Sequence, residues 1–296
     1  MNGEKSLRAE FREENCRAAK KKRMAGILQT VGAVCVTLVM VFPMYWLFIT
    51  ALKGDREMMA VTPSLWPEEF HWENFAEVFR RIPLLRYMFN TLLVTFFQMV
   101  LQVGTGILAA YGFARGRFKG RDILFVLVLG ALMIPHQVTF IPLYVVISRL
   151  GWVDTYAGLV MPGAVSAYFI FMMRQNFRSV DQSYLDAGRV DGLGVIGTIV
   201  HILIPMCRAS IMTASLVSFI NGWNNYFWPK ILSKSDGTRL ITVGMVKLSI
   251  SWGDAYITEH FNVTLAGVFI TMIPVIIMFF ANQKYMLSGY SKASMK

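Results

Sequence analysis

Six stretches of this chain, 26–52, 88–114, 123–147, 156–173, 209–229 and 263–283, contain no Asp, Glu, Lys or Arg, and the charges gather between them. A helix needs about 20 apolar residues to cross the hydrocarbon layer of a bilayer, with about 17 as the lower bound. Each stretch is therefore predicted to span a membrane. Together they define an all-α integral membrane protein with one six-span domain, 26–285, flanked by polar tails at 1–25 and 286–296. Proline punctuates the spans. Pro43 and Pro274 predict kinks, and Pro135 with Pro142 predicts a third span that is broken or strongly bent. Between the first two spans, Trp72, Phe75, Phe79 and Ile82 recur three or four residues apart. That is the pattern of a short helix at the bilayer surface or against the bundle. The linkers 115–122 and 149–154 read as short turns, the first of them basic, and 230–262 reads as polar with scattered aromatics.

The polar break from Ser179 to Arg208 has a different character. Ser179 followed by Gln182 has the spacing of a capping box, in which the serine oxygen accepts an orphan amide. Gly192 is a natural left-handed stop for the helix so begun. A second short helix follows, with Val195, Ile196, Ile199, Val200 and Leu203 on one face. Pro205 stands where the fifth span can begin, since a missing amide costs nothing in a first turn. Two short helices joined at a glycine between spans predict a docking element, not a plain connector.

Composition narrows the class. Of 296 residues 55% are hydrophobic and 16% charged, which is too apolar for an ordinary soluble domain. The net charge of +11 would suggest nucleic acid in a soluble protein, but its placement argues otherwise. Lys and Arg number 19 on the side of the termini and 10 on the other, against 8 and 10 acids, so the whole excess lies beside the tails. By the positive-inside rule both tails and the 179–208 loop are expected in the cytoplasm. Anionic lipid headgroups suffice as partners for the basic patches there. Cys16, Cys35 and Cys207 have neither disulfide nor metal spacing and read as free thiols. The first apolar run is too long for the core of a cleavable leader.

No catalytic or metal-binding constellation emerges. His71 and His260 fall outside the spans, and His201 lies on the second docking helix. His136 follows Pro135 within a span, where an ionisable residue is a functional candidate by default, although a neutral, hydrogen-bonded histidine at a proline break is the simpler reading. No intramembrane carboxylate is there to form a proton relay with it. The phosphate-cradling pattern G-x-x-x-x-G-K-[ST] is absent, and Leu287-Ser288-Gly289-Tyr290 matches an ATPase signature only by coincidence. Asn262-Val263-Thr264 is a glycosylation sequon. After the fifth span, Asn221, Trp223, Asn224, Asn225 and Tyr226 combine ring faces with amides, as a sugar-sized ligand requires, and form the candidate substrate pathway. An interfacial aromatic belt explains the same cluster, Trp228 most simply. Gly104, Gly106, Ala109, Ala110 and Gly112 in the second span suit close helix packing.

One spacing is more specific. Asp186-Ala187-Gly188, three residues, Gly192, nine residues, then Ile202-Leu203-Ile204-Pro205 resembles the E-A-A-x3-G-x9-I-x-L-P loop of ABC importer permeases. Asp186 stands for Glu, Gly188 for the second Ala and Ile204 for Leu. Asp186 keeps the charge on a shorter arm. Tyr45-Trp46-Leu47 with Leu52-Lys53, Ala109 to Arg115 running into Phe118-Lys119-Gly120-Arg121, and Trp223-Asn224-Asn225-Tyr226 with Trp228-Pro229 are similar to the carbohydrate-uptake, maltose-type branch of type I importers. The resemblance implies a bacterial plasma-membrane protein, in which the sequon carries no meaning. It implies a second homologous permease, two copies of a cytoplasmic ATPase that bind ATP and Mg, and an extracytoplasmic solute-binding protein. This chain itself would hold no cofactor, catalyse no reaction and contact no nucleic acid. Tyr184, Leu185, Asp186, Ala187, Gly188, Asp191, Gly192, Ile202 and Pro205 would couple it to the ATPase. The expected cargo is a sugar or oligosaccharide, with a polyol or glycerol phosphodiester as the alternative. A stand-alone secondary carrier would need inverted repeats and midmembrane ionisable groups, and a membrane scaffold would leave the loop spacing unexplained.

Overall fold

The computed structural model describes residues 2–250 and 261–293, with side chains at 24–248 and 261–283, and within them the chain is helical with no strand. Met24–Ala51, Leu84–Arg115 and Phe261–Gln283 are each long and apolar enough to cross a membrane, and three bent helix pairs bring the number to six when each counts as one span. The first helix, α1 (Asn2–Ala51), joins the basic tail to the first span without a break at residue 25 and holds Pro43 within it. The alanines, lysines and arginines of the tail are good helix formers and continue the turn.

After the short α2 (Asp55–Met58), α3 (Glu73–Arg81) forms where the aromatic stripe predicts a helix and packs against the last helix of the chain. Its buried members are Asn74, Val78 and, just beyond it, Ile82, whereas Trp72 and Phe79 stay exposed. Asn74 explains the docking. Its Nδ2 donates to the carbonyls of Ala51 (2.9 Å) and Lys53 (3.1 Å), groups that the end of α1 leaves unpaired.

At the centre lies α4 (Leu84–Arg115), packed against both the fourth and fifth spans. It carries a buried polar row, Asn90, Thr91, Thr95 and Gln98, continued by Gln102 and Thr105 at helical spacing. The expected packing role of its small residues holds for Ala110, which is fully buried, and for Gly106. A Cβ at Gly106 would lie 2.3 Å from Phe169 Cδ1, whereas Gly104 and Gly112 face open space.

The third span is α5 (Arg121–Ala131) and α6 (His136–Arg149), meeting at 100°. Pro135, extended at φ −60° and ψ 127°, makes the corner. His136 is exposed there, and no hydrogen bond reaches its ring among the described residues, contrary to the hydrogen-bonded histidine expected. The fourth span, expected at 156–173, is also broken, at Pro162-Gly163. It consists of α7 (Tyr156–Val160), a 3-10 turn Met161–Gly163, and α8 (Ala167–Ser179), bent by 41°. Backbone carbonyls freed in a membrane must find partners inside the protein. The polar row on α4 supplies them: Gln102 Nε2 donates to Gly163 O (2.6 Å) and Thr105 Oγ1 to Ala164 O (3.1 Å).

Next come α9 (Gln182–Val190), α10 (Val195–Thr198), a π-helical segment Ile199–Leu203 and α11 (Ile204–Met206). The fifth span leaves them at 85° as α12 (Arg208–Trp223) and α13 (Phe227–Leu232). A further helix, α14 (Ile241–Ile250), precedes α15 (Phe261–Ala293), which holds Pro274 without a break. The unforeseen α14 is too short to register as a span. It seats on α4 at Gly244, where a Cβ would lie 2.2 Å from the ring of Tyr87.

Linker contacts sort the two ends of the bundle. One end gathers the segments around Lys53, Asp154, Asp236 and Asn262, and the other holds the 115–122 turn with 174–208. At the first end Asp154 sits at φ +58°. Its Oδ1 accepts the amides of Lys234 (2.9 Å) and Ser235 (3.2 Å) and the hydroxyl of Thr238. Burial pushes this carboxyl up, but those donors outweigh it and hold the group well below the usual carboxylate range. Asn262, the sequon residue, is buried and donates to Lys53 O at 2.8 Å.

Candidate functional site

Inside the 179–208 loop the cap of α9 is Asp181, not Ser179. Asp181 Oδ1 accepts the Ser183 amide at 2.8 Å, while Ser179 ends α8 and donates its hydroxyl to Asn176 O. A carboxylate there adds attraction to the helix dipole, which a hydroxyl lacks. The Ser183 amide first, then its hydroxyl and Arg115, hold the Asp181 carboxyl below its ordinary value.

The other end of α9 closes as the sequence predicts. The amides of Gly192 and Leu193 return to the carbonyls of Arg189 (3.0 Å) and Gly188 (2.9 Å), with Gly192 at φ +80°. A side chain at that φ costs about 1–2 kcal/mol. The departure at Gly188 has a structural cause. A Cβ there would lie 2.5 Å from Ile202 Cδ1 and 3.3 Å from Leu193 Cδ1, so the missing methyl is the notch that Ile202 fills.

Pro205 does not open the fifth span. The helix α12 starts at Arg208, and Pro205 lies in the preceding short turn. Its ring would clash with the carbonyl four residues back, and the wider π turn at Ile199–Leu203 takes up that mismatch.

The predicted apolar face of the second helix divides. Ile199 and Leu203, with Leu185 of α9, are buried in one core with Phe169, Met173 and Phe177 of α8. Each such burial stabilises by about 1.5–3 kcal/mol, so the loop is fastened to the bundle. Val195, Ile196 and Val200 turn outward instead, as do Tyr184 and Val190, the last 88% exposed. Asp186, Ala187, Asp191, Gly192 and Pro205 are exposed with them, whereas Gly188 is buried and Ile202 half-buried. Asp186 accepts from Gln182 Nε2 (2.9 Å) and Arg189 (3.1 Å).

Two arginines escape sequence reasoning. Arg115 donates to Phe177 O, Val180 O and Gln182 Oε1. Arg174, buried, lies 3.8 Å over the Phe125 ring and donates to Phe113 O at 3.2 Å. It also stands 3.6 Å from Asp122, whose carboxyl is held low first by Arg121 and then by Arg174 and Arg178. A cation at a helix C-terminus was the one available signal, and linear spacing cannot say which helix end it meets.

The aromatic-amide cluster does not stay together. Trp223 is buried and stacks on Phe219 at 5.9 Å. Trp228, assigned above to an interfacial belt, is also buried and donates its Nε1 to Gly158 O at 3.1 Å. Asn221 and Asn224 are exposed and Tyr226 is half-buried, while the backbone of Asn225 accepts from Thr242.

An all-helical bundle of apolar, partly broken spans with an anchored two-helix loop that presents apolar side chains outward has the make-up of an integral membrane protein. The family described as binding-protein-dependent transport system inner membrane component matches residues 102–286, and the chain belongs to it. Among similar proteins, the arabinooligosaccharides transport system permease protein AraQ of Bacillus subtilis is 29% identical over 91% of this chain and 95% of its own. The probable ABC transporter permease protein YurM of the same species is 31% identical over 86% of this chain and 83% of its own. The sn-glycerol-3-phosphate transport system permease protein UgpE of Yersinia enterocolitica is 28% identical, covering 91% and 97%. A crystal structure of a bacterial ABC transporter involved in the import of alginate superposes with a TM-score of 0.76 at 23% identity, covering 89% of this chain and 96% of that one, and shows the same fold.

Proposed function

We propose that this chain forms half of the translocation pathway of a bacterial plasma-membrane importer for a sugar or oligosaccharide. A second homologous permease completes the pathway, two copies of a separate ATPase holding ATP and Mg drive it, and a solute-binding protein delivers the cargo. Both termini and the 179–208 loop face the cytoplasm, following the charge distribution. The observation that carries this reading is the divided loop. Leu185, Ile199 and Leu203 bind it into the bundle, while Tyr184, Val190, Val195, Ile196 and Val200 remain exposed. Exposed apolar groups clustered on a polar end of a membrane protein suit a protein partner. Asp186, Ala187, Asp191 and Gly192 lie on that contact, Gly188 and Ile202 shape it from behind, and Pro205 stands exposed in the turn that leads to the fifth span. Asn221, Asn224, Asn225 and Tyr226 are the remaining pathway candidates.

A sugar cargo is favoured by the AraQ relatives and the alginate importer. The UgpE relatives favour a polyol phosphate as the second reading. The test is Gly192→Val. The φ of +80° strains any β-branched residue, so binding-protein-dependent, vanadate-sensitive uptake should be lost while membrane insertion is kept. Unchanged uptake would overturn the role of the loop.

A further inference from the structure

Arg115 is the last residue of α4, and its guanidinium reaches across to the loop. It donates to Phe177 O (2.7 Å) and Val180 O (2.5 Å) from one nitrogen and to Gln182 Oε1 (2.9 Å) from the other. The two carbonyls belong to the C-terminal end of α8, where unpaired acceptors and the negative end of the helix dipole both favour a cation. Gln182 is the first residue of α9, and its amide works in both directions. Its oxygen accepts from Arg115, and its Nε2 donates to Asp186 Oδ1 at 2.9 Å. Hydrogen bonds therefore run without a gap from the last turn of the second span to the acid of the Asp186-Ala187-Gly188 triplet. A hollow of about 390 Å³ beside this relay is lined by Tyr111, Arg115, Gln182, Asp186, Arg189 and Thr198.

We propose that Arg115 is a positioning residue for energy coupling. It sets the distance and angle of α9 relative to the second span, so that displacement of the loop moves that span instead of being absorbed between them. The apolar anchor already places Leu185, Ile199 and Leu203 in one core with α8 and with Ile107 and Ala110 of α4, and Arg115 adds a directed polar tie from the end of α4 to the first residue of α9. The inference rests on the reading of 179–208 as the ATPase-docking loop. Lysine keeps the charge but lacks the planar fork that meets acceptors on two sides.

Two measurements test it. In the assembled importer, purified through a tag on this chain and reconstituted into vesicles, uptake per ATP hydrolysed is compared for native, Arg115→Lys and Arg115→Ala proteins. Arg115→Ala should lower that ratio about tenfold, within the usual range of coupling energies, and Arg115→Lys should fall between. In the full-length chain alone in lipid nanodiscs, spin labels at exposed positions 108 and 190 report the α4–α9 distance. Its distribution should broaden in Arg115→Ala and narrow again in Arg115→Lys. Proportional loss of uptake and hydrolysis, or an unchanged distribution, would reduce Arg115 to a structural brace and overturn the proposal. If Gly192→Val uncouples while Arg115→Ala does not, only this inference fails. If neither uncouples, the docking reading fails with it.

Discussion

Gly188 offers a quantitative test of how the loop is packed. Gly188→Ala places a methyl 2.5 Å from Ile202 Cδ1 and 3.3 Å from Leu193 Cδ1. The site is ordinary helix, so alanine gains about 0.5–1 kcal/mol over glycine. Against this, Ile202 must turn away. Its Cδ1 is the end of a flexible, half-buried side chain, and a ~30° departure from a rotamer costs about 0.5–1.5 kcal/mol. The two nearly cancel, leaving Gly188→Ala within about 1 kcal/mol of native stability. Ile202→Val alone deletes the same Cδ1 and costs about 0.5–1.5 kcal/mol. Combined, the alanine methyl occupies the space that the valine vacates and both penalties shrink. The double variant should exceed the sum of the singles by about 1 kcal/mol. Gly188→Val has no such relief and should lose about 1–3 kcal/mol by overpacking. Thermal unfolding midpoints of the full chain at fixed detergent, measured for native, both singles and the double, read the coupling directly. Additive shifts would show that Ile202 does not fill the notch.

Three further expectations address the rest of the bundle. Gln102→Leu strips the partner from the Gly163 carbonyl in the broken fourth span and should cost about 1 kcal/mol, the scale of polar contacts between membrane helices, seen as a lower unfolding midpoint. Gly244→Ala should destabilise by about 1–3 kcal/mol, because its methyl would enter the ring of the fully buried Tyr87, while Gly104→Ala, which meets nothing within 4 Å, should be neutral or slightly stabilising. Equal behaviour of the two alanine variants would contradict the packing of α14 on α4. Asp154→Ala should lower the midpoint at neutral pH, and the gap to native should close in acid. A carboxyl held low in the fold stabilises above its unfolded value of about 3.9 and loses that contribution as pH falls through the lowered one. A gap that is constant down to pH 3 would refute the assignment.

The six spans were legible because membrane insertion depends on composition over about 20 residues, a local property. The corner at Pro135 was legible for the same reason, since proline removes its own amide wherever it stands. The glycine-closed end of α9 followed from the positive φ that Gly192 alone adopts cheaply. In contrast, the cap moved from Ser179 to Asp181 because α8 ran on and consumed the serine, an outcome set by packing between helices. The break at Met161–Gly163 carries a local signal in Pro162-Gly163, but the groups that satisfy its carbonyls, Gln102 and Thr105, lie some 60 residues earlier in the chain and are not legible from it.

What the sequence determined alone was therefore the membrane, the number of crossings, the charge asymmetry and the spacing of the loop. Each depends on residues close together in the chain. Tertiary structure decided which face of the loop is anchored and which is free, why glycine stands at 188, and that Arg115 meets α8 and α9. It also withdrew Trp223 and Trp228 into the core. Those outcomes depend on which distant groups arrive within a few ångströms of one another, and periodicity along a chain carries no information about that.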